Sequence, residues 1–133
     1  MAKKRITTFL GASQSLVTLG SHAYGYSGAL NIGSSGSSAD ISFLSFTTGS
    51  FYTLGNVTWT NTSVGADTFF EEIQINGVTV YQNDMDGSPD KQAGKYPLPL
   101  MIPPFSKVKI LYGCGNAGAI PATVMFTGRI YNA

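Results

Sequence analysis

Charge is the scarcest thing in this chain. Eight Lys and Arg and seven Asp and Glu amount to 11% of its 133 residues, against roughly 25% in an ordinary soluble domain. Between Ile6 and Ala66 the only formally charged side chain is Asp40, and Ser, Thr, Asn and Gly fill the polar positions instead. An uncharged polar surface of this kind suits broad static contacts or an exported particle better than a free monomer in crowded cytosol. The net charge of +1 sets up no field that would draw nucleic acid or an anionic membrane. The local exception, Lys3-Lys4-Arg5, is too short for a nucleic-acid patch.

Other absences narrow the chemistry. A single cysteine, Cys114, excludes an intrachain disulfide framework. A single histidine, His22, would have to serve any Ser-His-Asp or Cys-His mechanism, and no serine sits in a G-x-S-x-G elbow. Cys114 in "YGCGNAG" has no basic neighbour to lower its pKa and reads as a small buried residue. No apolar run approaches the ~18 residues of a membrane span. "MAKKR" and "SHA" have the outline of a leader and a cleavage site, but "ITTFLGASQSLVTLG" between them is broken by Thr, Ser, Gln and Gly, so no signal peptide is expected. The sequons at Asn56 and Asn61 then carry little weight. No window of helical length shows a capped 3.6-residue apolar stripe.

What remains is strand signal. Residues 1–21 read as an N-terminal arm and residues 22–133 as one domain, long enough for a core without staples. "DISFLSFTT" and "FYTLGNVTWTN" are rich in aromatic and β-branched residues and alternate imperfectly. Asn76-Gly77 predicts a two-residue type I′ hairpin, pairing Ile75 with Val78, Gln74 with Thr79 and Ile73 with Val80. The expected core is Trp59, Phe69, Ile73, Ile75, Val78, Val80, Val108, Ile110, Val124 and Phe126. About eight short strands separated by turn signals predict an all-β antiparallel sandwich.

"YPLPLMIPPF" (residues 96–105) is apolar yet rich in proline. Pro97, Pro99 and Pro103 share one parity, so they delete donors from one lateral edge. Leu98, Leu100 and Ile102 keep theirs on the other. The segment reads as an edge strand blunted on one side; an extended polyproline loop is the other reading.

Two side-chain groups suggest binding. Asp84, Asp86 and Asp90 surround Gly87, but in an EF-hand frame Gln82 and Ala93 would fill the first and twelfth positions, so an acidic turn is favoured over a calcium site. Tyr24, Tyr26 and Tyr52, with Trp59, fit either a glycan-stacking platform or core and subunit interface. No cofactor is expected.

A short basic arm, a charge-poor Ser/Thr/Gly-rich β domain carrying "PLPLMIPPFSKVKI", and a final strand "ATVMFTGRIYNA" together resemble the small jelly-roll decoration, or cement, proteins of tailed bacteriophage heads and similar virion proteins. The resemblance covers roughly residues 22–131. It implies a jelly-roll fold and a non-enzymatic role on the outer surface of a capsid. The implied partners are the major capsid protein and further copies of the chain, most often as a trimer. Lys3, Lys4, Arg5, Ile6 and Phe9 of the arm are then expected to touch the shell. The rival expectation on the same fold is a carbohydrate- or receptor-binding module of a fibre or tail tip.

Overall fold

A computed structural model describes residues 16–32, 41–61, 68–86, 97–115 and 120–132. These residues form two antiparallel sheets and no helix. The ten strands are β1 (Val17–Leu19), β2 (His22–Tyr26), β3 (Leu30–Ile32), β4 (Ile41–Thr47), β5 (Phe51–Asn61), β6 (Thr68–Ile75), β7 (Val78–Asp86), β8 (Leu98–Ile102), β9 (Lys107–Cys114) and β10 (Ile120–Asn132). One sheet runs β1-β2-β10-β5-β8, with β3 also on β10; the other runs β4-β9-β6-β7.

The pairing is nested. β6 meets β7, β5 meets β8, β4 meets β9, and β2 and β3 meet β10. A long antiparallel ribbon folded on itself and rolled gives this order, which is the jelly-roll arrangement of two four-stranded sheets. Here the first sheet gains β1 as an extra edge and β3 beside the far end of β10. Val17–Leu19 therefore belongs to the sandwich, although the sequence places it in the arm.

Alternation decides which residues meet inside. Val108, Ile110, Tyr112 and Cys114 of β9 face Phe69, Ile73 and Ile75 of β6. Across the core stand Val57 and Trp59 of β5 and Val124 and Phe126 of β10. Trp59 ties the layers together: its Nε1–H donates to the Leu111 carbonyl at 3.3 Å, and its ring stacks on Tyr81 at 5.7 Å. Each buried indole N–H needs such a partner.

The hairpin turn is as the sequence predicts, with Asn76 at φ 53° and Gly77 at φ 80°. Its register is not. Ile75 pairs with Val78 and Gln74 with Thr79, but a β-bulge then makes Ile73 face Tyr81. Val80 is the extra residue. Val78 and Val80 are exposed, contrary to the expected core, and Tyr81 takes the inward place. A bulge shifts every later residue of its strand to the opposite face. A second irregularity between Ser42 and Leu44 lets both Phe43 and Leu44 bury their side chains.

β8 lies at the end of its sheet and pairs with β5; among the described residues nothing pairs with its other edge. Leu98, Leu100 and Ile102 turn inward, Ile102 fully buried, while Pro99 and Met101 face out.

Candidate interaction face

The two outer faces of the sandwich differ in chemistry. On the four-stranded sheet, the outward residues include Lys107, Lys109, Glu72, Gln74, Thr79, Gln82 and Asp84. Gln74 Nε2–H and Thr79 Oγ1–H both donate to Glu72 Oε2, at 2.7 and 2.8 Å. This is an ordinary hydrated surface.

The six-stranded sheet presents something else. Register places its outward side chains in rows across the strands. One row runs Met101, Leu54, Arg129, His22 and Leu19. The next holds Pro99, Asn56, Thr127 and Tyr24, and a third Thr58, Met125 and Tyr26. At the other end Tyr52 pairs with Tyr131. Leu19, Tyr26, Tyr52, Leu54, Met101, Met125 and Tyr131 are all exposed large hydrophobic residues. Arg129 is the one formal charge in these rows, and no acid accompanies it. Exposed large hydrophobic side chains, interspersed with Asn56, Thr58, Thr127 and Arg129, make this face the candidate binding surface.

Tyr24, Tyr26 and Tyr52 thus share one outer face, with Tyr26 and Tyr52 toward opposite ends. His22, Tyr24 and Tyr26 form a ladder along β2. Successive ring centroids are 6.2 and 6.3 Å apart and successive planes differ by 12° and 13°. Trp59 is not part of this face; it lies in the core.

No family model, curated protein or solved structure matches the chain. The face must be read from its own residues.

The other sequence candidates are not brought together. Lys3, Lys4, Arg5, Ile6 and Phe9 lie outside the described residues. Asp84 and Asp86 fall within β7 and Asp90 lies outside the described residues; among those described, no group of three His, Cys, Asp or Glu could hold a metal. His22 is exposed on the outer face, and Cys114 is buried in the interior.

Sequence reasoning passed over Glu71. It points inward with Phe69 and Ile73 and is 3% exposed. Tyr81 donates its hydroxyl to Glu71 Oε1 at 3.3 Å. Burial pushes the Tyr81 hydroxyl above its ordinary range, and the Glu71 charge adds to the rise. Tyr112 is driven further up, chiefly by burial, although Asn61 Nδ2–H donating to its hydroxyl oxygen at 2.8 Å works the other way. Both phenols therefore stay protonated and serve as hydrogen-bonding groups of the interior.

Proposed function

We propose that this chain is a non-enzymatic structural protein of a virus particle, decorating and cementing an assembled shell by bridging its subunits. The observation that carries the reading is the contrast between the two outer faces. Among the described residues, one carries Lys, Glu and Asp side chains, while the other displays exposed Leu, Met and Tyr side chains and no acid in its rows. Such a molecule turns one sheet to solvent and the other to protein. Covering Arg129 within that face would cost several kcal/mol unless a carboxylate meets it, so the shell surface is expected to be apolar with an acid opposite Arg129. Lys3, Lys4, Arg5, Ile6 and Phe9 would extend the contact through the arm. A ligand that binds only the assembled shell stabilises it by mass action, and that role requires no catalytic group. The sequence resemblance to jelly-roll decoration proteins supports the same role.

The experiment is binding of the purified chain to assembled shells. Leu54→Asp and Met125→Asp should abolish occupancy while Gln82→Asp on the opposite sheet leaves it unchanged. Deleting residues 2–9 should weaken binding and flatten its salt dependence. Equal occupancy for all variants would overturn the proposal.

The His22, Tyr24, Tyr26 ladder favours a second reading, a glycan- or receptor-binding module, because successive near-parallel rings offer stacking surfaces to sugar faces. Copy number separates the two: a cement protein is present in many copies per particle, a tail-tip module in a few.

A further inference from the structure

Asn76 is the only asparagine in the chain followed by glycine. Asparagine is a thermolabile residue, and a following glycine makes it most so, because no Cβ keeps the glycine nitrogen from the asparagine side chain. In the reaction a bond forms from the Gly77 nitrogen to Asn76 Cγ, and the bond from Cγ to Nδ2 breaks. Ammonia leaves with the proton that the Gly77 amide gives up. Water then opens the resulting succinimide at either carbonyl. One opening leaves aspartate. The other leaves isoaspartate, whose main chain runs through the former side chain and carries one extra methylene. Asn76 and Gly77 are both exposed, and a Cβ built on Gly77 would meet nothing within 4 Å, so water reaches the site.

The folded hairpin holds the two reacting atoms apart. With φ of 53° and 80°, Asn76 and Gly77 form the type I′ turn, the mirror image of type I, in which ψ of the first central residue is about +30°. At that angle the Gly77 nitrogen lies almost opposite Asn76 Cβ about the Cα–C bond. Ring closure needs the nitrogen eclipsed with Cβ, so the main chain must swing through nearly half a turn. Contacts on both sides oppose that rotation. Asn76 Oδ1 receives Lys107 N–H and Asn76 N–H donates to the Lys107 carbonyl, both at 2.8 Å. Ile75 stays paired with Val78 across the turn. The amide that would react is thus tied by its oxygen to β9, and its backbone is held by the ladder to β7. The reaction waits for the hairpin tip to come away from β9, a local opening.

We propose that Asn76 is a latent site of covalent modification: inert while the hairpin is closed, converted through a succinimide when it opens, and unable to reclose when the product is isoaspartate. The two products differ in what they allow. Aspartate keeps the main chain and an acceptor oxygen, so the bond from Lys107 N–H re-forms as a charge-assisted one. Isoaspartate lengthens the main chain inside a two-residue turn. The Ile75–Val78 pair and both Lys107 bonds then cannot be met together, since hairpin register is fixed by turn type and loop length. β6 lies between β9 and β7, so a tip that cannot reclose disturbs the pairing on both sides of it. Each opening therefore carries a chance of becoming permanent, and isoaspartate accumulates as a record of time spent open. This holds for the chain by itself, whichever surface meets a partner.

The test follows the full chain in buffer and in concentrated urea at the same mildly alkaline pH, below the range in which its tyrosines ionise. Peptides spanning Asn76 are resolved by mass spectrometry, and isoaspartate is scored by enzymatic methylation. Conversion at Asn76 should be at least about 10-fold slower in buffer than in urea, the ratio that even a modest opening free energy gives. Urea samples are then diluted after increasing times. The refolded fraction should fall in step with isoaspartate content, and the refolded molecules should be depleted in isoaspartate but not in aspartate. Asn76→Gly, which keeps the left-handed backbone, should refold equally at every time. Freshly unfolded Asn76→Asp should refold like fresh wild type. Equal conversion in buffer and urea, refolded molecules carrying isoaspartate in proportion to its formation, or the same loss of refolding with time in Asn76→Gly, would overturn the proposal.

Discussion

Gly55 and Gly128 face each other across β5 and β10, and neither has room for a side chain. A Cβ on Gly55 would lie 2.8 Å from the Gly128 Cα and 2.7 Å from the tip of the Phe126 ring; one on Gly128 would lie 2.9 Å from the Gly55 Cα. The backbones of the two longest strands approach closely here, and the Phe126 ring fills the space left. Gly55→Ala and Gly128→Ala should each destabilise by about 3 kcal/mol, the upper end of overpacking costs, because backbone cannot move aside as a side chain can. Denaturant unfolding of the two variants checks this; a change within error would mean the strands part easily.

Asn76 does two things at once. It accepts φ 53° in the hairpin turn, and it extends the pairing of β6 with β9: its N–H donates to the Lys107 carbonyl and its Oδ1 receives Lys107 N–H, both at 2.8 Å. Asn76→Gly keeps the conformation and loses the side-chain bond, costing about 1 kcal/mol. Asn76→Ala loses the bond and adds left-handed strain of about 1–2 kcal/mol. The order Asn above Gly above Ala in unfolding free energy is the expected result.

The bulge at Val80 makes opposite forecasts for two residues that simple pairing would treat alike. Ile73→Ala should cost about 2–5 kcal/mol because the side chain is fully buried. Val80→Thr should stay within about 0.5 kcal/mol for the isolated chain, as an exposed substitution does. Equal losses at the two sites would restore the unbulged register.

Alkaline pH should unfold the domain through its interior phenols. Tyr112 and Tyr81 have folded pKa values raised above their ordinary 10.0, first by burial. Their contribution is fully present below the unfolded pKa near 10 and is lost as pH climbs from there toward the folded values. Stability should therefore fall above about pH 10. Tyr112→Phe, which removes the more strongly shifted group, should make that fall shallower while lowering stability at neutral pH through the lost Asn61 bond. Tyrosine absorbance titration alongside unfolding curves measures both.

Much of this architecture is legible in the chain. The alternation of Val108, Ile110 and Tyr112 against Lys107 and Lys109 sets the inward side of β9. Asn76-Gly77 sets the hairpin turn, and the parity of Pro97, Pro99 and Pro103 puts β8 at an edge. The bulge was not legible, since nothing about Val80 or Tyr81 marks an extra residue, and Tyr81 is held inward by Trp59 on a distant strand and by Glu71 on β6. The apolar outer face was half hidden for a related reason. Tyr52, Leu54 and Met125 occupy positions where a one-sided strand would be polar, so they register as imperfect alternation rather than as a surface. Only the nested pairing shows that they share a side. Glu71 could have been found, because it has the parity of Phe69 and Ile73; the adjoining Glu72 made the pair look like solvent-facing charge.

The nested pairing also bears on how the protein is made. β10 is the middle of the larger sheet, with β2, β3 and β5 all bonded to it, and it is the last of the ten strands to be synthesised. Ser27 waits for Val124, 97 residues later, before its amide finds an acceptor and its hydroxyl oxygen a donor. At ordinary ribosomal speeds that interval is roughly 5–20 s. During it β2 and β3 emerge without their central partner, in a chain with almost no charge there to hold neighbouring nascent copies apart. Yield in the cell should then depend on translation rate and chaperone supply more than on the stability of the finished domain, and a ribosome stalled before Ile120 should hold a chain that proteases cut freely.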